Sequence, residues 1–179
     1  MDNFLHIFFI WLHILGVALF VGPQFFIAYA WAPTSRGIED MATRIQAMRT
    51  ITRRFGYVGG AGLLLIVIAG SYLIADWRSF YAVPDDADFM SLRFGLVFTI
   101  KMVLLTVMLI ALGIHIFFLG PRQMDRLEAQ LRGENVSEAA LRKARMQSML
   151  FSVVGLVLAL AIMVLGAMLN DVSWSLQEV

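Results

Sequence analysis

Four long apolar stretches decide what this chain can become. Residues 7–32, 55–75, 94–119 and 149–169 carry one charged side chain between them, Lys101. Each is about 20 residues or longer, and at about 1.5 Å per residue such a helix crosses a hydrocarbon core of about 30 Å. The composition agrees: 60% of the 179 residues are hydrophobic and 15% charged, where a soluble domain is about half apolar and about a quarter charged. The chain therefore reads as all-α, an integral membrane bundle of four transmembrane helices at about 4–32, 54–76, 93–120 and 145–170. Together they form a single transmembrane domain, residues 1–179.

Charge fixes an orientation. The first connection holds Arg36, Arg44, Arg49, Arg53 and Arg54, and the third holds Arg122, Arg126, Arg132, Arg142, Lys143 and Arg145. The second holds only Arg78 and Arg93, beside Asp76, Asp85, Asp86 and Asp88. By the positive-inside rule the two basic loops are cytoplasmic, so both termini and the acidic loop lie outside, on the periplasmic face of a bacterial inner membrane. The start "MDNFLH" lacks the basic residues of a secretory signal, and the first stretch is read as a helix of the mature protein. With no cysteine, disulfides and thiolate metal sites are excluded. No nucleotide loop, nucleophile elbow or paired intramembrane carboxylate is present. The basic loops read as topology determinants with some attraction to anionic lipid, not as nucleic-acid sites.

The basic connections also carry helix signals. Ser137 precedes the helix-forming run "EAALRKARMQSML" and is a candidate N-cap. "GPRQMDRLEAQLRGEN" reads as an extension of helix 3 past a break at Gly120-Pro121, ending near Gly133. A weak repeat is visible: Phe55, Val58, Gly59 and Gly70 match Phe151, Val154, Gly155 and Gly166 at identical spacing. Helix 1 carries Gly22-Pro23 in its later half and helix 3 ends at Gly120-Pro121, as two duplicated hairpins would. Gly56, Gly59, Gly60, Gly62 and Gly70 give helix 2 a smooth face, suited to a close helix neighbour, a dimer partner or a flat ligand.

His13, Gln24, Lys101 and His115 are the strongly polar residues deep in these stretches, with His6 at the outer edge. Such groups are costly in hydrocarbon and face the bundle interior. His13 lies about 14 Å into helix 1 and Lys101 about 10 Å into helix 3, so they share a level, whereas His115 lies about 30 Å down helix 3, near the cytoplasm. His6 and His13 are about 10 Å apart along the axis, too far to hold one ion together. A neutral imidazole is the common axial ligand of haem iron, and methionine can be its partner. Histidine with methionine also suits cuprous copper. Met102, Met108, Met163 and Met168 are available for either. The plainer readings are a histidine bonded to a neighbouring helix, Gln24 in an interhelical hydrogen bond, and Lys101 snorkelling outward. No acidic residue lies in the four stretches, so a ligand carboxylate, such as a haem propionate, is a fitting partner for Lys101.

"LHILGVALFVGPQFF", through His13, Phe20 and Gly22, resembles the first helix of the CopD-like and HemJ-like membrane proteins, with Pro23 in place of a second glycine. "RRFGYVGGAGLLLIVIAG" resembles their second helix, and Phe94, Gly95 and Lys101 resemble their third. The HemJ-like resemblance implies a haem b-binding oxidoreductase in which His13 and Lys101 are the characteristic pair. The Pro-Arg pair of that branch is missing from "IAYAWAP". The CopD-like resemblance implies copper uptake or resistance. Three expectations result. One is a haem b electron-transfer protein with His13, His115, Lys101 and His6 at its cofactor sites and a quinone or periplasmic donor as partner. Another is a copper protein with His6, His13, His115, Met102 and Met108 as candidate ligands. The third is a non-catalytic accessory subunit of a larger membrane complex.

Overall fold

The helices continue well past the apolar stretches that announce them. In the computed structural model, which describes residues 2–179, α1 runs Asp2–Phe26 and is prolonged through a π-helical turn, Ile27–Trp31, into Ala32–Thr34. Helix α2 is Met41–Tyr81. Helix α3 is Arg93–Ile114, prolonged through a second π-helical turn, His115–Leu119, into Gly120–Leu131. Helix α4 is Glu138–Asn170, and a short α5, Val172–Ser175, follows it. Four of these helices are long and apolar enough to cross a membrane. Hydropathy marks only the apolar part of a helix, so α2 begins at Met41 rather than at 54, and α3 continues through Gly120-Pro121.

Polar caps set the ends. The Asp40 carboxylate accepts from the Thr43 amide at 2.9 Å and starts α2. The Thr43 hydroxyl and then its amide hold this carboxyl below the usual carboxylate range. Ser137 Oγ accepts from the Ala140 amide at 3.2 Å and starts α4, as its position in the sequence implies. Gly133, at φ +76°, supplies the left-handed turn between α3 and α4.

Helix α1 packs mainly on α2, and α3 mainly on α4, giving two hairpins. Their first helices correspond in detail. The π turn at Ile27–Trp31 and that at His115–Leu119 are 88 residues apart at both ends. Each stands just before a proline, Pro33 or Pro121. Proline lacks an amide hydrogen and its ring crowds the carbonyl four residues back, and widening the preceding turn relieves both problems. The counterpart of Pro121 is thus Pro33, not Pro23. The same separation relates His6 to Phe94, His13 to Lys101 and Phe20 to Met108, interior positions that recur every seven residues as on a coiled-coil seam.

Two apolar clusters hold the hairpins together. At the end bearing the termini, Trp77 stacks on Phe94 with ring centroids 4.7 Å apart, and Val97, Leu92 and Leu169 close the cluster. The C-terminal residues strap this end: the Arg93 amide donates to the Gln177 carbonyl, and the Val179 amide to the Ser91 carbonyl, both at 2.9 Å. Further in, Phe20, Val21, Met108 and Ala159 form a second cluster to which all four long helices contribute. Large side chains such as Phe4, Tyr29 and Phe117 are more than 70% exposed, an apolar exterior suited to lipid.

The closest helix contact is backbone on backbone. A β-carbon at Gly62 would lie 2.7 Å from the Gly16 carbonyl oxygen, and one at Gly16 would lie 2.8 Å from that of Gly62. Gly60 meets nothing within 4 Å. Gly62→Ala is therefore expected to destabilise the protein by about 1–3 kcal/mol, as overpacking does, while Gly60→Ala is neutral or stabilising by up to about 1 kcal/mol. Unfolding in SDS-titrated detergent micelles measures both. Acid provides a second test. Because the folded-state value of Asp40 is lowered, its cap contributes at neutral pH and is lost as pH falls through that lowered value. Protection of the Thr43 amide from hydrogen exchange, corrected for intrinsic rate, is expected to fall on acidification, and not to fall in Asp40→Asn.

Candidate functional site

Between the two apolar clusters, each long helix places one residue in a common layer. On α2, Gly70 lies between Ile66 of the inner cluster and Ile74 of the aromatic one. On α4, Gly166 lies between Ile162 and Leu169. On α1 and α3, His13 and Lys101 occupy the corresponding level. The His13 ring lies over Gly70, where a β-carbon would sit 3.4 Å from Cε1 and 3.5 Å from Nδ1. Lys101 extends over Gly166, where a β-carbon would sit 3.6 Å from Nζ. One of the two glycine pairs matched by the sequence repeat, Gly70 and Gly166, thus accommodates the polar side chains.

The layer is polar, and among the described residues no side chain partners either group. His13 Nδ1 is buried with no hydrogen bond of good geometry, and the Ile66 backbone, one turn from Gly70, interacts with the ring. Lys101 is near enough to His13 for their charges to interact. The ion pairs among the described residues are His6–Asp76, Arg49–Glu128 and Arg132–Glu134, so no carboxylate meets Lys101. A buried imidazole nitrogen without a partner costs about 1–3 kcal/mol. The arrangement leaves one coordinating nitrogen and one cation free, side by side, in an otherwise apolar section of the bundle.

The other predicted residues lie elsewhere. His6 is 3% exposed, two turns outward of His13. Its Nδ1 is 3.0 Å from Asp76 Oδ2, and its ring stacks on Phe80 with centroids 3.5 Å apart. Asp76 reads in the sequence as part of the acidic loop, and α2 carries it into the bundle instead. A carboxylate on Nδ1 fixes the ring's tautomer and orientation, as it does for metal-bound histidines, and here it also ties α1 to α2. His115 opens the second π turn, and its Nδ1 is likewise buried without a partner. It lies about 21 Å from Lys101 along α3, so it belongs to a separate place near the basic end. Met102 is 41% exposed on the outside of the bundle, and Met108 is packed in the inner cluster. Among the described residues no three His, Cys, Asp or Glu side chains come together as a metal site. The Gln24 amide donates to the Phe20 carbonyl of its own helix at 3.2 Å, not to another helix. Gly95 has a packing explanation: a β-carbon there would overlap the Phe89 carbonyl.

No protein-family model, curated protein or solved structure matches the chain.

The His6–Asp76 contact predicts a coupling. In a double-mutant cycle with His6→Ala and Asp76→Ala, the two losses of stability are expected to be non-additive by about 0.5–3 kcal/mol. Detergent-micelle unfolding measures it. Additive losses would show that the pair contributes nothing beyond its separate parts.

Proposed function

We propose that this chain is a multi-pass protein of a bacterial inner membrane that binds haem b and takes part in electron transfer or redox chemistry, with its outer cofactor at the His13–Lys101 layer. The observation that carries this reading is the convergence of a buried, unpaired imidazole nitrogen and an unpaired lysine in one apolar section. Those groups match the two chemical needs of a haem with propionates: a nitrogen for iron and a cation for a carboxylate. Gly70 and Gly166 give these two side chains room inside the bundle. The chemistry supplied by haem b is a one-electron couple. His13 would hold the iron, and Lys101 would neutralise a propionate and orient the macrocycle. His6, fixed by Asp76, and His115, with its own unpaired Nδ1, are further candidate ligands toward the two membrane faces.

The resemblance to the HemJ-like proteins supports the same layer, since His13 and Lys101 match the characteristic pair of that branch, while the spacing of Phe94, Gly95 and Lys101 fits the CopD-like branch at least as well. The distribution of arginines supports both termini on the periplasmic side and the basic end in the cytoplasm. A quinone or periplasmic donor would then reach the His13 layer from outside. Copper receives less support, because Met102 faces outward and Met108 lies about 10 Å inward of Lys101.

The detergent-purified protein is expected to show a Soret band and sharp reduced bands. His13→Ala is expected to abolish the contribution of the outer haem, Lys101→Gln to lower haem occupancy, and Met102→Leu to change neither. An unaltered spectrum in His13→Ala would overturn the assignment.

A further inference from the structure

The basic end of the bundle carries two adjacent clefts, one with its arginines neutralised and one with its arginines unpaired. One, of about 310 Å³, is bordered by Arg49 and Arg132. Both are neutralised: Arg49 pairs with Glu128, and Arg132 Nε donates to Glu134 Oε1 at 2.6 Å. The other, of about 440 Å³, is bordered by Arg44, Arg142 and Arg145, with Glu138 as its one acid. None of these three arginines has a carboxylate within 4.0 Å. Arg44 Nη2 has only the Met41 thioether, at 2.8 Å. Leu127, Leu141 and the buried Ala144 give the same cleft an apolar wall.

We infer that this second cleft is a binding site for the phosphate of an anionic phospholipid. Three features converge on that ligand. The cleft keeps a surplus of two positive charges, because three arginines face one glutamate. It combines guanidinium groups, which bind phosphate oxygens in pairs, with an apolar wall that accepts glycerol and the start of an acyl chain. Its membrane-side edge is also at the right depth, with the other two arginines further from the hydrocarbon. Arg145 lies four residues, about 6 Å, beyond Met149, where the last apolar stretch begins, and Arg142 about 10 Å beyond it. Lipid phosphates occupy a zone about 5–8 Å thick on each side of the hydrocarbon. The site joins the α2 start, the α3 extension and the α4 start, so a bound headgroup would bridge the two hairpins. This inference does not depend on the haem reading.

The test uses the full-length protein in neutral detergent with added phosphatidylglycerol, counting bound lipid by native mass spectrometry. Arg142→Gln/Arg145→Gln is compared with a charge-matched control, Arg53→Gln/Arg54→Gln, whose arginines do not border the cleft. The cleft pair is expected to weaken lipid binding about tenfold or more, from loss of the paired, charge-assisted guanidinium–phosphate hydrogen bonds that the cleft supplies. The control is expected to bind within about threefold of the unaltered protein. Equal weakening in the two variants would overturn the site, because general surface charge would then explain the binding. Displacement of the lipid by inorganic phosphate at equal concentration would also overturn it, by identifying a soluble anion as the ligand. All the altered arginines are at the polar surface, and unchanged thermal unfolding in detergent confirms that each variant is folded.

Discussion

Hydrocarbon offers no hydrogen bonds, and this protein is arranged around that fact. Where the helices are apolar on all sides, the exterior can meet lipid directly and the interior needs only shape complementarity. Where a polar group enters, the fold must supply a partner. It does so for His6, through Asp76, and for Gln24, through its own helix. It does not do so for His13 Nδ1 or His115 Nδ1, and no carboxylate reaches Lys101. The unequal treatment separates polar groups that serve packing from those left free for something else.

The correspondence between the two hairpins accounts for where the free groups lie. The two hairpins share their π turns, their prolines and their interior seven-residue spacing. Each first helix therefore brings one polar side chain to the same level, against one glycine on its partner helix. The two halves then diverge in chemistry: histidine in one, lysine in the other. A symmetric framework with an asymmetric pair at its centre suits an asymmetric ligand, with a metal to coordinate at one point and a negative charge at another. The aromatic cluster of Trp77 and Phe94 on one side and the Phe20–Met108 cluster on the other keep that layer in place.

Much of this was legible in the residues. Charge-free length identifies the four spans, and Ser137 marks the start of α4. The levels of His13 and Lys101 follow from counting residues at helical rise. The matched spacing of Gly70 and Gly166 pointed to the hairpin repeat, although Pro33, rather than Pro23, proved to be the counterpart of Pro121. What escaped has physical causes. Hydropathy cannot see the polar start of α2 at Met41, which rests on the Asp40 cap. Asp76 stands 70 residues from His6, and no local pattern links residues that far apart. The role of Gly95 depends on where the Phe89 carbonyl turns, a feature of the folded loop.

The central claim is that the polar layer holds a haem, and the most direct measurement is haem content per chain. Pyridine haemochrome assay on the detergent-purified protein, with copper and iron read from the same sample, gives that ratio. The account predicts haem b and iron at about one per chain, or about two if His115 holds a second, without stoichiometric copper. A preparation with copper and no porphyrin, or one colourless and free of metal after mild extraction from native membranes, would contradict it.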